Sequence, residues 1–271
     1  MKLRELIYLL GFKPSVTEYL FEIRSFDLLG YGNVDYAQWL HPAEGEKRIE
    51  LAAINELKSF LSEGDFCIDI GAHTGDTAIP MALAVGASGA VLALEPNKYV
   101  YAVLKENSRL NRETTNIIPL MAAATTEDGP VEFEYSDAGY CNGGRHQGIS
   151  ALKHGHAFKL EVAGINLAQR LRIQHSDLLP RLKYIKIDTE GYDLYVLKSL
   201  TEIIERHKPY LLVEIYKHSS QDYRKEIFDF LSKRNYALHK RASEENFKGE
   251  RLSQGEMNNW KHFDIFCVPS D

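Results

Sequence analysis

Apolar residues recur at helical spacing through Ile49, Ala52, Ala53, Leu57, Phe60 and Leu61, and strand-like alternation is scarce before Ser62. Residues 1–62 therefore read as a helical N-terminal extension or cap. The pattern changes after the turn Glu63-Gly64-Asp65. Phe66-Cys67-Ile68-Asp69-Ile70 is a short apolar run that ends in glycine, the signature of a strand buried on both faces of a parallel sheet. A helix through Met81 and Leu83 follows, then strand Val91-Leu92-Ala93-Leu94-Glu95, a helix from about Tyr99 to Leu110, and strand Ile117-Ile118-Pro119-Leu120-Met121. Further on come Tyr184-Ile185-Lys186-Ile187-Asp188, a helix through Leu197, Tyr210-Leu211-Leu212-Val213-Glu214 and a helix from about Asp222 to Arg234.

This alternation predicts a doubly wound, Rossmann-like α/β domain over residues 63–271, with a mostly parallel sheet and right-handed crossovers. The closing pair, Tyr236-Ala237-Leu238-His239 and Phe263-Asp264-Ile265-Phe266-Cys267-Val268, is joined by a polar stretch with no room for a crossover helix. The last strand is therefore expected to be antiparallel. Between Thr125 and Gly164 the pattern breaks into a hairpin at Val131–Tyr135 and a long glycine- and histidine-rich loop, residues 137–156, too long to be a mere connection.

Composition narrows the class without naming it. The chain of 271 residues is 44% hydrophobic and 26% charged, an ordinary globular balance. Its net charge of −6 gives no basic face for a nucleic acid. Cys67, Cys141 and Cys267 are widely spaced and odd in number, which fits neither a disulfide framework nor a zinc pattern and favours buried thiols in a reducing compartment. No run is long enough for a transmembrane segment, so a cytoplasmic location is the expectation. The amphipathic start, Met1 to Phe12, is expected to dock on its own domain. Homo-oligomerisation is left open.

In an open α/β sheet the ligand sits beyond the carboxyl ends of the strands, near the switch in strand order. Gly71-Ala72-His73-Thr74-Gly75 follows the first strand and offers a tight turn and free amides for a carboxylate or phosphate. Asp69 beside it can accept from an ammonium. Glu95 ends the second strand, 26 positions after Asp69, where its carboxylate can take two ribose hydroxyls. These features suit S-adenosylmethionine, whose amino-acid end carries both charges. A nicotinamide dinucleotide would use the same acid, but it wants G-x-G-x-x-G, and this chain offers G-x-x-x-G with histidine at position 73. Pro96 and Asn97 adjoin the ribose position, although Asn97 is equally placed to cap the next helix. Ala122, in the stretch after the third strand, would line the adenine pocket.

These residues resemble the FkbM-type methyltransferases, class I S-adenosylmethionine enzymes that methylate hydroxyl oxygens of sugars and related natural products. The likeness runs through Gly64–Gly75, Leu94-Glu95-Pro96-Asn97, Lys186-Ile187-Asp188-Thr189-Glu190-Gly191-Tyr192-Asp193 and Leu211-Leu212-Val213-Glu214-Ile215. His73 stands where such loops often carry asparagine. The resemblance implies a seven-stranded sheet with an antiparallel final strand, S-adenosylmethionine as donor, S-adenosylhomocysteine as product, and a saccharide or similar hydroxylated acceptor. A nucleotide-dependent oxidoreductase and a non-catalytic cofactor-binding module are the competing readings.

Methylation of a hydroxyl needs help in removing its proton. Asp188 and Glu190, two apart at the exit of a strand, would face the same side and repel, raising the pKa of one. Asp188 is the leading base or acceptor-orienting group, Glu190 its neighbour, and Glu214 would face the same cleft. Glu190 has a competing role as a helix cap. A divalent cation between Asp188 and Glu214 stays open, and no metal ligands are assigned. His146, His154 and His156 are further proton acceptors by type, and Tyr140, Asn142 and Ser150 further hydrogen-bonding groups for a polar acceptor.

Overall fold

A computed structural model describes residues 7–8, 10–145 and 155–270. His146, Ser150 and His154, and most of the amphipathic start, lie outside the described residues. Strands are numbered here in chain order and helices are named by their residues.

The main sheet contains β3 (Phe66–Ile70), β4 (Ala90–Leu94), β5 (Ile117–Leu120), β10 (Leu182–Ile187), β11 (Tyr210–Ile215), β12 (Tyr236–Lys240) and β13 (Phe263–Pro269), ordered β12-β13-β11-β10-β3-β4-β5. The pairs β3–β4, β4–β5, β3–β10 and β10–β11 are parallel, while β13 runs antiparallel between β11 and β12. Every residue of β3 and β4 is buried, as continuous apolar runs in a helix-covered parallel sheet should be. The chain builds outward from β3 to β5 on one side and from β10 to β11 on the other. The switch in strand order therefore falls between β3 and β10, and a crevice opens past their carboxyl ends.

Two-residue alternation assigns the faces. Phe66, Ile68, Ile70, Ile185, Ile187, Leu211 and Val213 join one apolar cluster with helices Asp193–Ser199, Thr201–His207 and Gln221–Ser232. Cys67, Val91, Tyr184 and Leu212 join another, against helices Leu51–Lys58 and Ala78–Val85. By the same parity Asp69, Lys186 and Glu214 all project toward the second face, and Glu214 is paired in register with Asp264.

The N-terminal region corrects the helical reading. Only Leu51–Lys58 is helical near the periodic stretch, whereas β1 (Phe21–Leu28) and β2 (Gly32–Trp39) form an antiparallel hairpin. The hairpin has a sequence basis. Phe21, Ile23 and Phe26 are strand-formers, and the turn at Gly30 and Gly32 uses the positive φ values of +85° and +71° that glycine adopts freely. Alternation was masked because Phe21 and Ile23 are exposed, while the inward surface comes from Val34, Tyr36, Ala37 and Trp39 of β2. The segment read as one hairpin at Val131–Tyr135 belongs to a second sheet, ordered β6 (Ala123–Thr125), β9 (Phe158–Asn166), β7 (Gly129–Tyr135) and β8 (Gly143–Gly144).

The β1–β2 hairpin is fastened to the glycine loop by buried polar contacts. Asn107, fully buried on helix Lys98–Leu110, accepts from Ala37 N (2.6 Å) and donates to Ala37 O (3.1 Å) and Thr74 O (2.7 Å). The Tyr36 and Thr74 hydroxyls lie 2.6 Å apart. Replacing Asn107 by alanine strands backbone groups in the interior, where each lost partner is expensive. Asn107→Ala is expected to lower stability by about 2–4 kcal/mol, read by urea denaturation. A change below about 0.5 kcal/mol, the range of an ordinary surface substitution, would show that the hairpin is held by other contacts.

Candidate active site

Gly71 stands where β3 and β10 come closest beyond the sheet. Its φ is +80°, and a Cβ there would lie 1.9 Å from Asp188 O. Asp188 N donates to Ile70 O (3.0 Å), so the exits of the two strands are in backbone contact. Gly71 N and Ala72 N both donate to Leu94 O, at 3.1 and 2.9 Å, which ties the loop to β4. His73 turns the chain with a left-handed φ of +49°, and Gly75 follows at +96°.

A cavity of about 440 Å³ lies across these strand ends, in the size range of small-ligand sites. Gly71, His73, Glu95, Pro96, Asn97, Ala122, Asp188, Glu190 and Glu214 reach its wall. Ala72 and Thr74 are buried and hold the loop in shape. Asp69 is also placed differently from expectation. It is fully buried, with Oδ2 accepting from Thr77 Oγ1 (2.7 Å) and Oδ1 at 3.5 Å from Lys186 Nζ. Oδ1 has no hydrogen-bond partner among the described residues, burial raises the carboxyl pKa against the pull of Lys186 and Thr77, and Lys186 is the member of the pair on the cavity wall.

Glu95 has the geometry of a hydroxyl acceptor. Oε2 accepts from His73 N (3.1 Å) and Oε1 from Asn97 N (2.8 Å), leaving each oxygen a further lone pair. Burial raises its carboxyl pKa above the ordinary glutamate value, against the pull of His73 and the two amides. Asn97 serves structure with its whole side chain, accepting from Tyr99 N at the helix start (3.0 Å) and donating to Tyr140 O (2.7 Å).

The acidic side of the cavity follows β10 and β11. Asp188 is half-exposed and accepts from Lys186 Nζ (3.1 Å). Burial alone would lower the Lys186 pKa, but Asp188 and Asp69 reverse that and push it up. Strand β10 ends at Ile187, so Glu190 reaches the cavity through a left-handed turn at φ +54° instead of through continued alternation. Glu190 N donates to Glu214 Oε2 (3.0 Å). Burial, then the negative charges of Asp188 and Asp193, raise the Glu190 carboxyl to about 7, outweighing Lys217. Burial and the surrounding acids likewise raise Glu214. Glu190 is not the helix cap: the cap position of helix Asp193–Ser199 is Tyr192, with no side-chain cap bond, and Asp193 braces the turn before the helix by accepting from Thr189 N, Thr189 Oγ1 and Gly191 N.

Several cavity residues carried no local signal in the sequence. His262 Nε2 is 2.9 Å from Glu214 Oε1, brought there from the polar stretch before β13. Lys47 Nζ is 2.8 Å from Asp76 Oδ2, and Glu44 lies beside both Lys47 and His73. Burial works against ionisation of Asp76, but Lys47 and His73 prevail and hold its carboxyl below the usual range. Of the loop groups chosen from sequence, Asn142 lines the cavity, Tyr140 stacks on Tyr99 with ring centroids 5.2 Å apart, and His156 Nδ1 lies 3.2 Å from Glu134 O. No helix among the described residues is long and apolar enough to cross a membrane.

A mostly parallel sheet with a glycine loop after one strand, an acid after the next and a cavity across the switch point is the frame of a nucleoside-cofactor enzyme, and the family match makes that enzyme an S-adenosylmethionine-dependent methyltransferase. The model of the methyltransferase FkbM domain matches residues 69–238, and the chain belongs to that family. The curated hexuronic acid methyltransferase AglP of Haloferax volcanii is 27% identical over 173 residues, 62% of this chain and 63% of that relative, so the chain spans less than two thirds of its length. A crystal structure of methyltransferase FkbM from Methylobacillus flagellatus KT aligns with a TM-score of 0.48 at 18% identity, covering 76% of this chain and 44% of that one. A SAM-dependent O-methyltransferase from Thermotoga maritima aligns with a TM-score of 0.44 at 12% identity, covering 92% and 78%.

Proposed function

We propose that the chain transfers a methyl group from S-adenosylmethionine to a hydroxyl oxygen of a saccharide or closely related acceptor. The observation that supports this most directly is Glu95, fixed between the amides of His73 and Asn97 with lone pairs left at the cavity. Its two oxygens suit the two ribose hydroxyls of the donor. Pro96 and Ala122 flank the adenine, and Lys186 and Lys47 on the same wall are the cationic partners for the carboxylate of the amino-acid tail, since the amides of Gly71, Ala72 and His73 already donate to Leu94 and Glu95. The saccharide acceptor is favoured by the likeness to the hexuronic acid methyltransferase of Haloferax volcanii.

The bound donor supplies an electrophilic methyl group on sulfur. The chain supplies the base and the alignment. Glu190 accepts the hydroxyl proton, because its carboxyl is held near neutrality by burial and by Asp188. Asp188, anchored by Lys186, orients the acceptor hydroxyl. Glu214 holds the backbone of Glu190 and is itself held by His262.

Mass spectrometry of small molecules retained by the purified protein tests the donor. S-adenosylmethionine or S-adenosylhomocysteine is expected, and a retained dinucleotide would overturn the assignment. Isotope-labelled donor incubated with uronic-acid and neutral glycans tests the acceptor. Glu95→Ala is expected to weaken S-adenosylhomocysteine binding by about 10- to 100-fold, the worth of one or two hydrogen bonds to a charged group. Calorimetry giving wild-type affinity for that variant would remove Glu95 from the donor site.

A further inference from the structure

We propose that Glu44, His73 and Cys141 form a binding site for one zinc-class divalent cation at the edge of the cavity. The inference is independent of the methyl-transfer reading. The three residues come from separate segments: the stretch after β2, the glycine loop after β3, and the loop after β7. His73 Nδ1 is 3.7 Å from Glu44 Oε1, Cys141 Sγ is 3.8 Å from Glu44 Oε2, and the three ligand atoms lie within 4.8 Å of one another. In a tetrahedral zinc site, bond lengths of about 2.0–2.3 Å put neighbouring ligand atoms roughly 3.3–3.7 Å apart. From a widest ligand-pair separation of at most 4.8 Å, a contraction of about 1 Å brings the trio to that spacing.

A second observation concerns Glu44 itself. Its side chain is only 6% exposed, and Oε1 has no hydrogen-bond partner. The side-chain nitrogens beside it, Lys47 Nζ at 3.6 Å and His73 Nδ1 at 3.7 Å, are both beyond hydrogen-bonding distance. A buried carboxylate oxygen left without a donor is costly, and a cation at the centre of the trio removes that cost. Lys47 does not pre-empt the position, because it is turned to Asp76 at 2.8 Å. His73 contributes from a left-handed backbone position.

The ligand chemistry selects the metal. A thiolate with an imidazole favours zinc over magnesium or calcium, which prefer oxygen ligands alone. Three protein ligands leave a fourth position open toward the cavity. Binding breaks the Cys141 S–H bond and forms a sulfur–metal bond, with one proton leaving to solvent. The bound ion would clip the N-terminal segment, the glycine loop and the loop after β7 together.

Cobalt(II) titration of the metal-free full chain reads the site directly, since a thiolate ligand gives cobalt a charge-transfer absorption. One equivalent is expected to produce that band, and zinc to displace it and raise the Tm. Cys141→Ser should abolish the band, while Glu44→Gln and His73→Asn should each weaken binding at least about 10-fold. Cys67→Ser and Cys267→Ser should retain it, because both thiols are buried within strands of the main sheet. No band in the wild type, or a band that survives in folded Cys141→Ser, overturns the proposal. If Cys141→Ser does not fold, a wild-type cobalt affinity in Glu44→Gln overturns it equally.

Discussion

Glu190→Gln is expected to lower kcat by about 10²- to 10⁴-fold, the usual contribution of a positioned general base, with little change in S-adenosylhomocysteine affinity. Glutamine keeps the size of the side chain. The bond from Glu190 N to Glu214 is a backbone bond and survives the change. What disappears is the proton acceptor. The sign of the pH dependence follows from its raised carboxyl, at about 7. Below that value Glu190 is protonated and cannot accept, so wild-type kcat should fall as pH drops through about 7 and level off above it. Glu190→Gln should lose this limb along with its rate.

Asp188→Asn supplies a cross-check on the same group. Because the charge of Asp188 helps to raise Glu190, its removal should move the limb to lower pH. A merely structural role for Glu190 would leave the limb in place in a folded variant. If Glu190→Gln keeps wild-type kcat, the base lies elsewhere, and the His262–Glu214 pair is the next group to test.

Gly71→Ala should be the most damaging glycine-to-alanine change among the described residues. Two costs combine. Alanine at φ +80° loses about 1–2 kcal/mol relative to an ordinary conformation. Its Cβ would also fall 1.9 Å from Asp188 O, a backbone atom that cannot rotate aside. Forcing β3 and β10 apart at their exits adds about 1–3 kcal/mol of overpacking. A drop in Tm of about 5–15 °C is expected for a chain of this size, together with loss of cofactor binding, because Asp188 and the loop amides shift relative to each other. Gly45→Ala is the control, since a Cβ there meets nothing within 4 Å. Equal melting temperatures for the two variants would show that the β3–β10 contact tolerates separation.

Some of the site was legible because its chemistry is local. A buried five-residue run ending in glycine marks β3, and a second ending in acid marks β4 with Glu95 beyond it. The Asp188 and Glu190 pair is also visible, with one carboxyl expected to be raised and Asp188 expected to lead; burial puts that rise on Glu190. The setting of Asp69 is not legible in the sequence, because it depends on Lys186, 117 positions later, which stands beside it only once β10 pairs with β3. The β1–β2 hairpin was missed for a related reason. Its outward face keeps Phe21 and Ile23, so the alternation that exposes a strand to sequence reading is blurred.

Taken alone, the sequence determined where the buried strands begin and end, which turns need glycine, and which acids stand at strand exits, because each follows from side-chain period and backbone sterics over a few residues. Tertiary structure alone decided that Asp69, Lys186 and Glu214 share one face of the sheet, that His262 reaches Glu214, and that Glu44, His73 and Cys141 converge. Those contacts depend on strand order, register and the path of long connections. They join residues too far apart in the chain for any local periodicity to encode.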